Sequence, residues 1–214
     1  MPMEIEAKFR IGDPQVFPLL LALDRLGPYV LRPAPQHEEQ RNTYYDTPDG
    51  CLRRARYGLR TREVQGRVIV TLKGPGQVQG GVHERAEWEA EVADPDPSAW
   101  PDGEVRCRVR ALVTPDVPLV PFLTIHTHRH HIVVLSASHQ EVAEVSLDES
   151  RIEAGGATDD FCELEIELRP AGTRRDLEAL VAALGEHMVL MPEPRSKLER
   201  GLALLQEVVH DNDH

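Results

Sequence analysis

The chain has 214 residues, of which 41% are hydrophobic and 28% are charged, a composition typical of a globular protein rather than a disordered or membrane-spanning one. Its formal net charge of −12 at pH 7 argues against general nucleic-acid binding, because that function needs an excess of Lys and Arg to displace counterions from phosphates. No apolar run is long enough for a membrane span and no secretory signal is recognisable, so we expect a cytoplasmic protein without a membrane partner.

The first half of the chain consists mainly of strand patterns joined by turn signals. Met3 to Ile11 alternates apolar and polar residues, which predicts a strand with one buried face. The leucines between Leu19 and Leu26 predict a helix that ends at Gly27-Pro28. Further strands are predicted at Gln40–Asp46, Gly58–Glu63, Val68–Lys73 and His83–Val92, with turns at Pro48–Gly50, Gly66 and Gly74–Gly81.

The second half mixes strands with helices. Val105–Val113 fits both a strand and a helical stripe, and we favour a helix. Strands are predicted at Phe122–Leu135, Glu141–Asp148 and Phe161–Arg169, and helices at Arg174–Leu184 and from a capping box at Ser196 onward. About eight strands in all predict an α+β fold, an antiparallel eight-stranded barrel flanked by helices. We expect one domain over residues 1–210, followed by a polar tail at 211–214.

The charged residues are segregated along these strands. One stretch holds seven cations against the single acid Glu63, and these are Arg53, Arg54, Arg56, Arg60, Arg62, Arg67 and Lys73. Carboxylates recur on the polar faces of three other strands, as Glu4 and Glu6 beside Lys8, Glu87 and Glu89 beside Arg85, and Glu163, Glu165 and Glu167 in a row.

Two interpretations of these faces stay open. Alternation is most often the mark of a sheet with one solvated face. If the apolar faces instead pack outward against the helices, carboxylates and arginines meet inside the barrel. Carboxylate oxygens suit Mg²⁺ or Mn²⁺, and the planar guanidinium group suits phosphate.

In this order and spacing, the motifs resemble those of the CYTH family, also called triphosphate tunnel metalloenzymes. The matching segments are Glu4–Lys8, Tyr44–Thr47, Leu59–Arg62, Thr71–Gly74, Arg85–Glu89, Arg129, Leu147-Asp148, Glu163–Glu167 and Ser196-Lys197. The amino-acid sequence within these motifs is most similar to the bacterial CYTH portion of proteins that also carry a helical CHAD domain. Both a free-standing version and a fragment of a longer protein therefore stay open.

The resemblance implies a tunnel that binds a triphosphate with one or two divalent ions, Mg²⁺ or Mn²⁺. The implied metal ligands are Glu4, Glu6, Asp148 and two of Glu163, Glu165 and Glu167. Glu87 and Glu89 would either extend that shell or pair across strands with Arg60 or Arg62. The implied phosphate ligands are Lys8, Arg60, Arg62, Lys73, Arg85, Arg129 and Lys197, with Lys8, Arg62 and Lys73 as candidate catalytic residues. Lys197 could also be merely exposed, because a lysine in the first turn of a helix opposes the helix dipole.

The leading hypothesis is hydrolysis of inorganic triphosphate by a metal-activated water, with cations stabilising the transferred phosphoryl group. Alternatives are a thiamine triphosphatase, an adenylate cyclase, for which no base-recognition site is evident, and a non-catalytic polyphosphate-binding module. The last of these should lose the metal carboxylates. A lipocalin-like carrier would need an apolar lumen. The expected ligands are thus inorganic triphosphate, polyphosphate, or a nucleoside or thiamine triphosphate, bound by a monomer or a homodimer.

A histidine-rich segment, His126-Thr127-His128-Arg129-His130-His131, departs from the family pattern. As a strand it places His126, His128 and His130 on one face and Arg129 and His131 on the other. The histidines could form a metal cluster or be simple substitutions on that strand. The sequence leaves open which face points into the barrel, and with it the role of Arg129.

Overall fold

The computed structural model describes the backbone of residues 3–212 and the side chains of residues 3–207. Its strands are β1 (Met3–Ile11), β2 (Arg25–Leu26), β3 (Tyr29–Pro33), β4 (Glu38–Asp46), β5 (Gly58–Val64), β6 (Arg67–Gln79), β7 (Val82–Val92), β8 (Val120–Leu135), β9 (Glu141–Ala154), β10 (Ala157–Leu168) and β11 (Met191–Pro192). Its helices are α1 (Val16–Leu21), α2 (Cys51–Arg54), α3 (Glu104–Leu112), α4 (Arg174–Gly185) and α5 (Lys197–Asn212). The side chains of the tail predicted at 211–214 lie outside the described residues.

Eight of these strands form a closed antiparallel barrel. Their order around it is β8, β4, β5, β6, β7, β1, β10 and β9, and β9 pairs with β8 to complete the circle. The 16-residue strand β8 makes this closure, since it pairs with β9 along one edge and with β4 and then β3 along the other. The predicted α+β fold with an eight-stranded antiparallel barrel is confirmed. The single domain over residues 1–210 stays a prediction.

Two hydrophobic clusters lie between the outer face of the barrel and the helices. Leu164 of β10 and Leu180 of α4 belong to one buried cluster, and Leu72 of β6 and Val109 of α3 belong to a second. A third cluster joins Ile152 of β9 to α5 on the inner side of the barrel, because Ile152 shares a strand face with Asp148. Because side chains alternate along a strand, turning the apolar faces outward leaves the polar faces for the lumen.

The segment before β4 differs from the predicted helix at Leu19–Leu26. Helix α1 already ends at Leu21, and Arg25–Leu26 forms a strand that pairs with β3 through a turn at Gly27, where φ is 56°. Strand β3 in turn extends the edge of β8, with Leu31 opposite Val134. The predicted helix is confirmed for Leu19–Leu21, whereas Arg25–Leu26 forms a strand because pairing with β3 overrode the local helical propensity.

The turn predicted over Gly74–Gly81 is also wrong for most of its length. Strand β6 continues to Gln79, with a register shift against β7 between Lys73 and Gly76. The reversal occurs at Gly80-Gly81, where both φ angles are positive. Glycine inside the strand marks an irregularity in the ladder rather than its end. The helix predicted around Val105–Val113 is confirmed as α3.

Within the described residues, no helix has both the length and the apolar character needed to cross a membrane.

Candidate active site

The lumen of the barrel is a charged cavity of about 710 Å³. Every one of the eight barrel strands contributes a polar or charged side chain to its wall, and α5 contributes Lys197 over one side. The lining includes Glu4 of β1, Tyr44 of β4, Arg60 of β5, Lys73 of β6, Arg85 of β7, Arg129 of β8, Glu144 of β9 and Glu165 of β10. The alternating polar faces therefore point inward, and the lumen is neither apolar nor a solvated outer surface.

Asp148, Glu163 and Glu165, which we call the carboxylate trio, form a buried acidic group in the barrel wall, and Glu165 lines the cavity itself. Asp148 and Glu163 are cross-strand neighbours on β9 and β10, and oxygens of all three groups lie within 4.8 Å of one another. The Lys197 ammonium contacts all three, at 2.9, 2.7 and 2.8 Å respectively. One oxygen of Glu163, Oε1, is buried without a hydrogen-bond partner. A cationic ligand is the natural complement of such an oxygen.

Arg129 lies beside the trio, which settles the orientation of the histidine-rich strand. Its guanidinium donates to both oxygens of Asp148, at 2.6 and 2.5 Å, and to Glu165 at 2.6 Å. Burial opposes the charge on Arg129, but these carboxylates outweigh it and raise the pKa of Arg129. Arg129 and His131 thus face the lumen, and His126, His128 and His130 face outward.

A second group of charges joins β1 to β6 and β7. Glu4 accepts from Lys73 Nζ at 2.6 Å and from Arg85 Nε at 2.8 Å, and Glu6 accepts from Arg85 at 3.0 Å. Burial would raise the pKa of Glu4, but Lys73, Arg85 and Lys8 lower it well below its ordinary value. In this form of the protein, the ionised carboxylate is held by cations rather than by water.

Lys8 connects this second group to the trio. Its ammonium lies 3.2 Å from Glu6 and 3.2 Å from Glu165. Burial disfavours its charge, but the two carboxylates outweigh that effect and raise the pKa of Lys8. The predicted ligands on β1 and β10 are thereby brought together through one buried lysine.

Glu167, the third glutamate of the predicted row, is separated from the other two. It pairs in register with Glu6 and contacts Arg169 at 3.0 Å, and its side chain is 36% exposed. Burial, together with the charges of Glu4 and Glu6, raises the pKa of Glu167 to about 7. The row thus divides into two buried members of the trio and one half-exposed member outside it.

Arg60 and Arg62 differ from the other cations of the lumen. Arg62 Nε donates to the neutral amide of Asn42 at 3.2 Å, and Arg60 Nε is buried without a partner. Among residues 3–207, neither guanidinium forms an ion pair with a carboxylate. Burial and repulsion from Arg60 and Arg129 lower the pKa of Arg62 to about 10. Arg60 and Arg62, which repel each other and lack a carboxylate partner among the described side chains, form a site that an anion would stabilise.

The two glutamates of β7 do not pair with these arginines, contrary to one of the two predicted alternatives. Glu87 lies 3.3 Å from Lys73, and Glu89 accepts a hydrogen bond from Thr71 Oγ1 at 2.8 Å. Their partners come from β6, the strand between them and β5. Arg60 and Arg62 are left free for another ligand.

Lys197 reaches the lumen because α5 begins directly beside it. Ser196 and Glu199 form the predicted capping box, with the Ser196 N–H and hydroxyl donating to Glu199 at 2.7 and 2.8 Å. Lys197 itself is 7% exposed. The alternative of a merely exposed lysine is therefore wrong, because three carboxylates compensate for its unfavourable place at the helix start.

The family motif at Tyr44–Thr47 has a structural part and a lumen part. Asp46 is buried and caps α2, accepting from the backbone N–H of Thr47 and Leu52 at 2.8 Å and of Arg53 at 3.1 Å. Tyr44 lies in the lumen wall beside Arg60. Burial would raise the pKa of Tyr44, but the surrounding cations outweigh burial, and the pKa of Tyr44 is lowered. Tyr44 was not among the predicted site residues, and strand alternation from Asn42 could have indicated it.

A further group at the lumen wall was also missed. His131 contacts Glu144 at 2.9 Å through Nδ1 and Glu38 at 3.1 Å through Nε2, and Arg169 contacts Glu144 at 2.8 Å. The residues lie on β8, β9, β4 and the end of β10, so only the folded barrel brings them together. Strand alternation alone could place His131 beside Arg129 but could not choose their face.

Comparisons with known proteins agree with this geometry. The model of the CYTH domain family matches residues 2–202. An inorganic triphosphatase from Haemophilus influenzae is 29% identical over 163 residues, which cover 76% of this chain and 45% of that protein. The chain thus spans less than half the length of that curated relative.

Two solved structures share the fold over almost their whole length. A Hippeastrum protein, named as a candidate adenylyl cyclase with a dominant triphosphatase activity, has a TM-score of 0.65 and 22% identity, with 96% of both chains covered. A candidate adenylate cyclase from Bacillus halodurans has a TM-score of 0.60 and 22% identity, covering 94% of this chain and 98% of that one. At such identities the likeness concerns the fold.

Proposed function

This chain belongs to the CYTH family, and we propose that it hydrolyses inorganic triphosphate in its lumen with Mg²⁺ or Mn²⁺ as cofactor. The observation that carries the proposal is that Arg60 and Arg62, whose guanidinium groups have no carboxylate partner among the described side chains, line the same cavity as Glu165 of the carboxylate trio. Anion and cation sites that share one lumen suit a polyanionic substrate that binds together with a divalent metal ion. The triphosphatase from Haemophilus influenzae supports this substrate class.

The carboxylate trio fits a hard divalent ion. Its three oxygen ligands are buried and mutually close, and Glu163 Oε1 lacks any other partner. Glu4 and Glu6 offer further carboxylates across Lys8. When bound, such an ion neutralises phosphate charge and lowers the pKa of a water. Of the three glutamates on β10, we therefore assign Glu163 and Glu165 to the metal and leave Glu167 outside its shell.

The cations of the lumen would hold the phosphate chain and stabilise charge on the transferred phosphoryl group. Arg60 and Arg62 are available without breaking an ion pair, whereas Lys8, Lys73, Arg85 and Arg129 must exchange carboxylate partners for phosphate oxygens. Hydrogen bonds and charges that are fixed in a water-poor cavity stabilise a transition state more than they would in water. Lys8, Arg62 and Lys73 remain our candidates for the catalytic contacts.

Lys197 would change partners when metal and substrate bind. Its ammonium now lies among the three carboxylates of the trio, where a metal ion would compete with it. When the metal displaces Lys197, its ammonium would pair with a phosphate group of the substrate, because the substrate would occupy the adjoining lumen. The same lysine would thus neutralise the trio before binding and the substrate afterwards.

The proposal is tested by phosphate release from inorganic triphosphate, thiamine triphosphate and ATP, each with Mg²⁺, with Mn²⁺ and with a chelator. We expect rapid, chelator-sensitive release from inorganic triphosphate. Pyrophosphate and cyclic AMP from ATP would instead identify a cyclase, and tight polyphosphate binding without release would identify a binding module.

A matched pair of variants separates the anion site from general charge effects. Arg62→Ala removes a partly buried guanidinium from the lumen wall, and Arg151→Ala removes an exposed one whose partner is Asp160. Loss of one preorganised donor to a transition state costs about 10²–10³-fold in kcat. We expect a loss of this size for Arg62→Ala and an unchanged kcat for Arg151→Ala. Equal activity of the two variants would contradict the assignment of Arg62.

A further inference from the structure

A histidine cluster lies on the outer wall of the barrel, outside the lumen. We use this name for His128 and His130 of β8, His37 of the loop between β3 and β4, and Glu39 of β4. The rings of His37 and His128 are stacked with centroids 4.1 Å apart, and His130 lies edge-on to His128 at 5.0 Å. Because Arg129 between them points into the lumen, the imidazoles of β8 point the other way.

The contacts within the cluster are those of a preformed ligand set. His128 Nε2 lies 3.2 Å from His130 Nε2. Two imidazole nitrogens so close must share either one proton or one metal ion. For Zn–N bonds of about 2.0–2.1 Å in a tetrahedral site, the expected distance between two ligand nitrogens is roughly 3.3 Å.

Glu39 orients the central imidazole. Its Oε1 lies 2.7 Å from His128 Nδ1, which holds the proton on that nitrogen and leaves Nε2 as an acceptor towards His130. A carboxylate behind a histidine is the usual support of a metal-binding imidazole. Glu39 also lies 3.6 Å from His37 Nε2, and ligand atoms of His37, Glu39 and His128 all fall within 4.8 Å of one another.

The charges on the neighbouring strands distinguish this cluster from the rest of the strand. Both cross-strand neighbours of His128 are acidic, Glu39 on β4 and Glu149 on β9. Both neighbours of His126, two residues earlier on the same face, are basic, Arg41 and Arg151. A cation is therefore favoured at His128 and disfavoured at His126.

We propose that His37, His128 and His130 bind one divalent transition-metal ion of the Zn²⁺, Ni²⁺ or Cu²⁺ class on the outer wall of the barrel, with Glu39 orienting His128 from behind. Imidazole nitrogens select these ions over Mg²⁺, which prefers oxygen. The bound ion joins the loop before β4 to β8 and so fixes the edge where Glu38 meets His131 in the lumen wall. The site is distinct from the oxygen-lined trio and does not depend on the proposed activity.

The test is calorimetric titration of the tag-free chain with Zn²⁺ in excess Mg²⁺, which occupies oxygen sites. His128→Gln and His130→Gln are compared with the wild type and with His126→Gln, a control on the same strand face. We expect one Zn²⁺ to bind the wild type and the control, with affinity lowered at least about tenfold in the other two variants. Equal affinity in all four proteins, or an equal loss in His126→Gln, would overturn the proposal.

Two further measurements keep the result independent of subtle folding defects. Electron paramagnetic resonance of bound Cu²⁺ should show coupling to imidazole nitrogens in the wild type and weaker coupling in His128→Gln. Because an ion that binds only the folded state raises its stability, Zn²⁺ should raise the Tm of the wild type and of His126→Gln but not that of His128→Gln. A purely oxygen-ligated Cu²⁺ spectrum would also refute the site.

Discussion

Glu163 and Glu167 share one face of β10, yet their surroundings predict different roles. Glu163 is fully buried in the trio with one oxygen unpartnered, whereas Glu167 is half-exposed and lies outside it. In Glu163→Gln we expect metal-dependent phosphate release to fall by about 10²-fold or more, since a metal ligand supports several kcal/mol of transition-state stabilisation. In Glu167→Gln we expect a change smaller than about tenfold. The measurement is the rate of phosphate release as a function of metal concentration in both variants. Equal losses would indicate that Glu167 also binds the metal.

The same residues show what sequence patterns could and could not predict. Alternation correctly placed Glu163, Glu165 and Glu167 on one face, and the family resemblance correctly gathered Asp148 with that face. The division of the row could not be predicted, because it depends on where Lys197 and Arg129 enter from α5 and β8. Those distances arise from long-range packing, which no local pattern encodes.

His131 should make stability depend on pH. Burial would lower its pKa, but hydrogen bonds and charge from Glu144 and Glu38 outweigh burial and the repulsion of Arg129, and the pKa of His131 is raised. Because the pKa is higher in the folded state, protonated His131 stabilises the fold fully at a pH below the unfolded-state pKa of about 6.5. This stabilisation is lost as the pH rises through the folded-state pKa.

The measurement is thermal unfolding of the wild type and of His131→Gln across about pH 6 to 9, a window that begins near the pKa of the unfolded state and extends above it. We expect the Tm advantage of the wild type to be largest at the acidic end and to shrink towards the alkaline end. Glu144, whose pKa is lowered to about 2, remains ionised throughout this window and does not confuse the result. A constant difference in Tm would show that His131 does not titrate there.

At the scale of the element, α5 is held against the barrel by a close approach at Gly201. A Cβ atom at this position would lie 2.7 Å from Leu123 Cδ2 and 3.5 Å from Ile152 Cγ2. Gly201→Val therefore overpacks the contact, at a cost of about 1–3 kcal/mol. Because Lys197 lies one turn earlier on α5, we expect both a lower Tm and a lower kcat.

Gly185→Ala is the matched control, since nothing lies within 4 Å of its Cβ position at the end of α4. This variant should keep the kcat of the wild type. If Gly201→Val loses stability but keeps its kcat, α5 does not position Lys197. The helical pattern and capping box of α5 were predictable from sequence, whereas its seat on β8 and β9 was not, because a glycine in a helix does not reveal its neighbour.

On the scale of the whole molecule, most of the cations in the lumen are paired with carboxylates of the barrel. Five of the predicted phosphate ligands pair with carboxylates, namely Lys8, Lys73, Arg85, Arg129 and Lys197. Among the side chains of residues 3–207, Arg60 and Arg62 find no such partner. In the proposed reaction, the metal ion and the triphosphate would carry charges of opposite sign, so each would partly offset the change in net charge that the other causes. This pairing of cations with carboxylates allows the barrel to bury many charges. Removing one partner of a buried pair would leave an uncompensated charge and be strongly destabilising.

The overall charge of −12 should repel a polyanionic substrate, yet part of the basic stretch lies at the lumen. Arg53, Arg56 and Arg67 line the cavity and are exposed. A local positive surface raises the association rate of an anion in a salt-dependent manner. We expect Arg56→Gln to lower kcat/KM for triphosphate severalfold at low salt, to leave kcat unchanged and to weaken the salt dependence. Arg32→Gln, an exposed arginine on β3 away from the cavity lining, is the control, and an identical salt dependence in the two variants would exclude steering by Arg56.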